Sequence, residues 1–217
     1  MTEWRTIAAA GASPGRYEGD KVKGARFLAR AWPVDPGEAA ERAKAAVAEA
    51  RVAQRDAVHH AFAYRVAPEP NDFRWSDDGE PIGSAGRAIL QRIDHLGLVN
   101  VLVVVSRWQG GQKLAVPDLA KGYGDAARGV LAEARVVLFV PTTRLAVTFD
   151  YALSGAVQGV FAAFAAAHED AAYGTDVCIV VRVPSARRVA FEAAVRDASA
   201  GRARVEPAAA GPGLRPT

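Results

Sequence analysis

Val99 to Val105 is apolar at every position but Asn100, the pattern of a strand covered on both faces at the centre of a sheet. A second strand over 58–66 places Val58, His60, Phe62, Tyr64 and Val66 on one side and His59, Ala61, Ala63 and Arg65 on the other, again with both faces covered. Arg16 to Val34 alternates as a strand pair ending in Phe27-Leu28-Ala29-Arg30-Ala31-Trp32, and residues 1 to about 15 read as a frayed lead-in. Helical spacing takes over after Asp35. Ala39, Ala43, Ala46, Val47 and Ala50 mark the inward face of a helix over 36–54, with Asp35 as its cap, Pro36 at its first position and Glu38 three residues after the cap. The Pro-, Asp- and Gly-rich stretch Ala67 to Gly83 reads as a loop, followed by a helix over 84–96 that stops at Gly97. Pro117 opens a third helix that packs through Leu119, Tyr123, Val130 and Leu131. Gly122, Gly124 and Gly129 each cost it up to about 1 kcal/mol relative to alanine, so they predict a closely packed neighbour.

Arg135 to Val140 closes this half with one more strand, and Pro141 marks a seam. Beyond it the order is strand (143–151), helix (153–168), two strands (near 171–173 and 176–183), helix (185–197) and strand (202–206), the βαββαβ order of a ferredoxin-like domain. The pattern therefore predicts an α+β chain of two domains, 1–140 and 141–206, with a disordered Pro/Gly tail over 207–217.

Charge narrows the function classes only slightly. The 27 basic and 24 acidic residues are interspersed, and of the basic ones 19 precede Pro141 and 8 follow it, so neither half is a basic arm. Contact with RNA must come from local clustering. The one cysteine, Cys178, lies in an apolar run and reads as a buried structural thiol; an internal disulfide and a cysteine-based zinc site are both ruled out. Without a secretory leader or a membrane span, the expected setting is cytoplasmic, with no membrane partner.

Two loops carry the candidate chemistry. Ser106-Arg107-Trp108-Gln109-Gly110-Gly111-Gln112-Lys113 follows a buried strand. Its glycines would let backbone N–H groups approach a phosphate, Arg107 and Lys113 supply charge, and Trp108 offers a stacking face. The bland alternative is a tight turn with a tucked-in tryptophan. The loop Ser76-Asp77-Asp78-Gly79-Glu80-Pro81 could hold Mg²⁺ through Asp77, Asp78 and Glu80, or could be turn chemistry in which each Asp bonds its own backbone. His59 and His60 point to opposite faces of their strand and cannot share a metal; His95 and His168 end helices, where a cation suits the dipole. No nucleophile elbow, zincin motif or paired acid/base spacing is present, and no cofactor is implied.

Taken together, His59 to Arg65, Ser76 to Pro81 with Gly83-Ser84-Ala85-Gly86-Arg87, and Val103 to Lys113 resemble the Impact/YigZ family (UPF0029), in its bacterial two-domain form. The resemblance implies that the first domain shares the fold of a ribosomal-protein domain and of the fourth domain of elongation factor G, and that the second is ferredoxin-like. His59, Tyr64, Arg65, Asp77, Asp78, Glu80, Arg87, Arg107, Gly110, Gly111, Lys113, Leu119 and Tyr123 match the family pattern. Ala115-Val116-Pro117-Asp118 departs from the family's Gly-Ala-Gly-Gly, and Lys121 replaces its arginine. Asp118 thus puts negative charge where a phosphate could have met a helix N-terminus. The leading expectation is a non-enzymatic, translation-associated protein that contacts RNA or the ribosome through Arg107, Trp108, Gly110, Gly111, Lys113 and Lys121. A metal-dependent enzyme acting on a phosphorylated small molecule or nucleic acid, and a protein-interaction module, stand as alternatives.

Overall fold

The structure, a computed structural model, describes residues 4–8, 15–67 and 71–208. It divides into two compact units, one ending at Phe139 and the other beginning at Val140.

The first unit contains β1 (Trp4–Ile7), β2 (Gly15–Glu18), β3 (Arg26–Pro33), α1 (Ala39–Ala53), β4 (His59–Val66), β5 (Asp72–Ser76), α2 (Gly86–His95), β6 (Val101–Trp108), α3 (Val116–Glu133) and β7 (Val136–Phe139). Its main sheet is antiparallel in the order β2-β3-β6-β4-β5. Central β6 explains the unbroken apolar run: Val101, Val103 and Val105 face the α2/α3 layer, while Leu102 and Val104 face α1. Ala39, Ala43, Ala46 and Ala50 bury the predicted face of α1 against Trp32, Tyr64 and Val66. On the other side Ile89, Ile93, Tyr123 and Val130 cover Ala29, Ala61 and Ala63. The helical glycines of α3 allow this closeness. A Cβ at Gly122 would lie 2.4 Å from the Phe27 ring, and one at Gly129 would lie 2.2 Å from the Tyr17 ring.

Several expectations need correction. Trp4–Ile7 is a strand paired with β7, not a frayed lead-in, because its partner lies more than a hundred residues away and no local pattern announces it. Helix α1 starts at Ala39, since Pro36 to Glu38 close a turn in which the Glu38 N–H bonds the Asp35 carbonyl (3.0 Å). β5 lies inside the predicted 67–83 loop, paired along β4. β6 runs on to Trp108, so Arg107 and Trp108 belong to a strand and not to a loop.

The second unit contains β8 (Thr142–Phe149), α4 (Ser154–Ala163), β9 (Ala167–Tyr173), β10 (Val177–Pro184), α5 (Arg188–Ala198) and β11 (Arg204–Pro207). The antiparallel order β11-β8-β10-β9 puts fourth beside first beside third beside second, the ferredoxin-like arrangement. Leu145, Val147, Val177, Ile179 and Val181 meet Val157, Phe161 and Phe191 in its core. Cys178 lies on the opposite face of β10 and is half-buried, not buried. His168 sits in β9 against the Phe161 ring, not at a helix end. Pro207 still belongs to β11 and the Ala208 N–H bonds the Arg144 carbonyl (3.1 Å), while 209–217 of the predicted tail lie outside the described residues.

Candidate functional site

One end of the first unit's sheet collects most of the predicted residues. The register pairs Arg26 with Trp108 and His59 with Arg107, so the start of β3, the end of β6 and the start of β4 lie side by side. The 77–85 loop after β5 and the 109–115 loop before α3 open from the same end.

The acidic loop is built around a tight turn. Asp78 (φ 47°) and Gly79 (φ 87°) are both left-handed, and the Glu80 N–H bonds the Asp77 carbonyl at 3.0 Å. The Asp77 carboxylate accepts the N–H groups of Gly83 (2.8 Å), Ala85 (3.0 Å) and Gly86 (2.8 Å), supplying the anion that the start of α2 calls for. Asp78 accepts from Arg51 (2.6 Å) through one oxygen and from the His60 N–H (2.7 Å) through the other. Its carbonyl receives the His59 Nδ1 proton at 2.6 Å, because a carbonyl can only accept.

Glu80 is buried beneath this turn. It accepts from the Arg107 guanidinium and from the Tyr123 hydroxyl (2.7 Å), and its other oxygen is 4.0 Å from His59 Nε2. Burial, reinforced by the neighbouring Glu80 charge, pushes the Tyr123 phenol far up, so the hydroxyl stays a donor. On the opposite face of β4, His60 is bound through Nδ1 to the Ser106 hydroxyl (2.9 Å); burial lowers its pKa, with Asp78 pulling the other way.

In this geometry the three carboxylates of the acidic loop serve a helix start, a turn and a buried ion pair. Asp77, Asp78 and Glu80 face three different sets of donors, and among the described residues no group of three His, Cys, Asp or Glu could hold a metal ion. The proposed phosphate loop is also rearranged. Arg107 is buried and paired with Glu80, and Trp108 is half-buried under the Arg26 guanidinium, 4.8 Å from its ring centroid. A Cβ at Gly110 would lie 1.9 Å from the Gly24 backbone, so close packing of two turns demands this glycine. Gly111 (φ 85°) turns the chain in open space. Lys121 is paired with Asp125 (2.7 Å). Asp118 accepts from Lys23 (2.6 Å) and from the Ala115 N–H (3.3 Å), so a carboxylate already occupies the start of α3. Lys113 and Arg87 are exposed, and among the described residues neither has an ion-pair partner.

The structure thus brings together His59, Asp77, Asp78, Glu80, Arg107 and Tyr123. Tyr64 and Arg65 lie farther along β4, where Tyr64 bonds Asp72 (3.2 Å) and Arg65 holds Asp94 with two bonds (2.8 and 3.0 Å).

The Impact N-terminal domain model matches residues 23–131, which span this whole network, and a Domain of unknown function (DUF1949) model matches residues 147–202. The chain belongs to the IMPACT family. An IMPACT family member in the pol 5′ region of Thermus thermophilus is 35% identical over 163 residues, covering 75% of this chain and 86% of the relative. The IMPACT family member YigZ of Escherichia coli (strain K12) is 30% identical over 185 residues, covering 84% and 89%. A crystal structure described as that of a hypothetical protein superposes with a TM-score of 0.69 at 27% identity, over 96% of this chain and 98% of that one. The two-domain α+β organisation is therefore that of bacterial IMPACT family members.

Sequence reasoning missed an exposed aromatic pair of this IMPACT chain. Phe73 and Trp75, 43% and 42% exposed, stack on edge strand β5 with centroids 6.0 Å apart and planes 4° apart. Their signal was the alternation of Asp72-Phe73-Arg74-Trp75-Ser76, hidden by the turn residues on either side.

Proposed function

We propose that this IMPACT family chain is a non-enzymatic, translation-associated protein that contacts single-stranded RNA, on the ribosome or free, through its first unit. One observation carries the reading: the buried polar groups of the network are bound to each other, while aromatic rings and cations without ion-pair partners among the described residues stand outside. Glu80, Arg107 and Tyr123 satisfy one another in a buried network, whereas Lys113, Arg87, Phe73 and Trp75 are exposed. Exposed cations meet phosphates, and aromatic faces stack on bases of any sequence. The binding role expected for Arg107 and Trp108 passes to Lys113, Arg87 and Trp75, with Phe73 backing Trp75 and itself covered by the Arg65 guanidinium 4.7 Å from its ring centroid.

Sedimentation of ribosomes from lysate tests the reading in its cellular form. The chain is expected to travel with ribosomes at low salt and to leave them as salt rises. A chain that stays in the supernatant at low salt, together with failure to bind purified RNA, contradicts it.

A further inference from the structure

Where α1 ends and β4 begins, Arg51, Arg55, His59, His60 and Asp78 line an open cleft of about 370 Å³. A second hollow of about 340 Å³ adjoins it, sharing Arg51, His60 and Asp78 and adding Lys44, Val47, Ala48 and Phe62. Either volume falls in the ~300–1,000 Å³ range of small-molecule sites. Neither hollow involves Lys113, Arg87, Phe73 or Trp75.

The lining is lopsided in charge. Three cations, Arg51, Arg55 and Lys44, the last paired with Glu41 (2.7 Å), line the two hollows against a single lining carboxylate, Asp78, whose oxygens are already engaged by Arg51 and by the His60 N–H. Arg55 has no ion-pair or side-chain hydrogen-bond partner among the described residues. Turn and strand hold the wall rigid: Asp78 bonds both His59 and His60 at the head of β4, and His60 is anchored to Ser106 behind it. Beside this cationic wall, Val47, Ala48 and the Phe62 ring give an apolar surface. A dianionic head next to a flat apolar group fits both halves, because arginine forks bind phosphate oxygens and an aromatic face accepts a base.

We propose that this cleft binds a nucleoside monophosphate unit, with its phosphate on Arg51 and Arg55 and its base over Val47 and Phe62. The unit comes either from a free mononucleotide or from the phosphorylated end of an RNA strand. In the second case the proposal rests on the RNA reading above and gives it a site for the strand's end.

Isothermal titration of the full chain with uridine monophosphate, uridine, a 5′-phosphorylated oligouridine and its 5′-hydroxyl counterpart tests this. Saturable binding of the monophosphate but not of uridine, competed by inorganic phosphate, is expected. Arg55→Ala should weaken it about tenfold or more, since a charge-assisted contact to phosphate is lost, while Arg196→Ala in the second unit leaves it unchanged. A phosphorylated oligomer that binds better than both the monophosphate and the 5′-hydroxyl oligomer identifies the RNA end as the source; equal binding of the two oligomers, with the monophosphate bound saturably and weakened by Arg55→Ala, identifies the free nucleotide. No saturable binding of either phosphorylated probe, or an Arg55→Ala chain that binds them as wild type does, overturns the proposal. The RNA reading is judged separately: if the 5′-hydroxyl oligomer binds and is weakened by Lys113→Ala but not by Arg55→Ala, that reading stands while the cleft proposal falls.

Discussion

Glu80 and Arg107 form an ion pair with side chains only 4% and 10% exposed. Removing one partner of such a pair leaves the other charge buried, which typically costs about 3–5 kcal/mol. Arg107→Ala should therefore lower stability by that amount in urea unfolding, and residual folded protein should keep its RNA affinity. A stable Arg107→Ala protein with lost RNA affinity would return Arg107 to the binding surface. His60 makes a second, pH-dependent contribution. Its folded pKa lies below the unfolded value of about 6.5 because burial disfavours the charged ring, so the unfolded state takes up the proton more readily. That stability is fully present above about pH 6.5 and is lost as pH falls toward the folded pKa. Melting temperature should drop over this window in wild type, and His60→Asn should flatten the drop. The residue types of this network were legible in the sequence, but their roles were not. Which oxygen of Asp78 meets Arg51, and that Glu80 turns inward to Arg107 and Tyr123, depends on contacts 27 to 43 residues apart that no local spacing encodes.

Among the elements, α3 shows what its glycines do. Alanine at Gly122 gains up to about 1 kcal/mol of helix propensity but drives a methyl into the Phe27 ring, and overpacking costs about 1–3 kcal/mol. Gly122→Ala and Gly129→Ala should thus both destabilise in urea titrations, while Gly159→Ala in α4, with nothing within 4 Å of the added methyl, should stabilise. Periodicity made the long elements readable: α1, α3, β4 and β6 bury whole faces, so their apolar residues recur at 3.6 or 2 positions or run unbroken. It failed for β1 and β5. Each is a short edge or paired strand with few buried positions, and its pairing is fixed by a partner elsewhere in the chain. The extension of β6 through Ser106, Arg107 and Trp108 was hidden for another reason. Polar residues there are buried by side-chain partners, so composition suggested a loop.

At the scale of the whole molecule, each unit has its own sheet and its own hydrophobic cluster, and we propose that residues 1–140 and 141–206 fold independently. Separate fragments should each give dispersed amide-proton spectra; a collapsed spectrum from 1–140 would contradict this. The ferredoxin-like order of the second unit was readable because all of its strands and helices lie in sequence order with short connections. The exposed groups of the first unit were not, because exposure of Phe73, Trp75, Arg87 and Lys113 follows from what the fold leaves uncovered. That exposure is what the RNA reading depends on. Fluorescence anisotropy with a single-stranded RNA, titrated at several salt concentrations, tests it most directly. Wild type should bind saturably, with affinity falling steeply as salt rises; Arg87→Ala with Lys113→Ala should flatten the log–log slope by ~1.4, from two lost phosphate contacts. Trp75→Ala should cost ~1–3 kcal/mol with the slope unchanged. Absence of saturable binding at the lowest salt, or a slope untouched by the double substitution, would contradict the account.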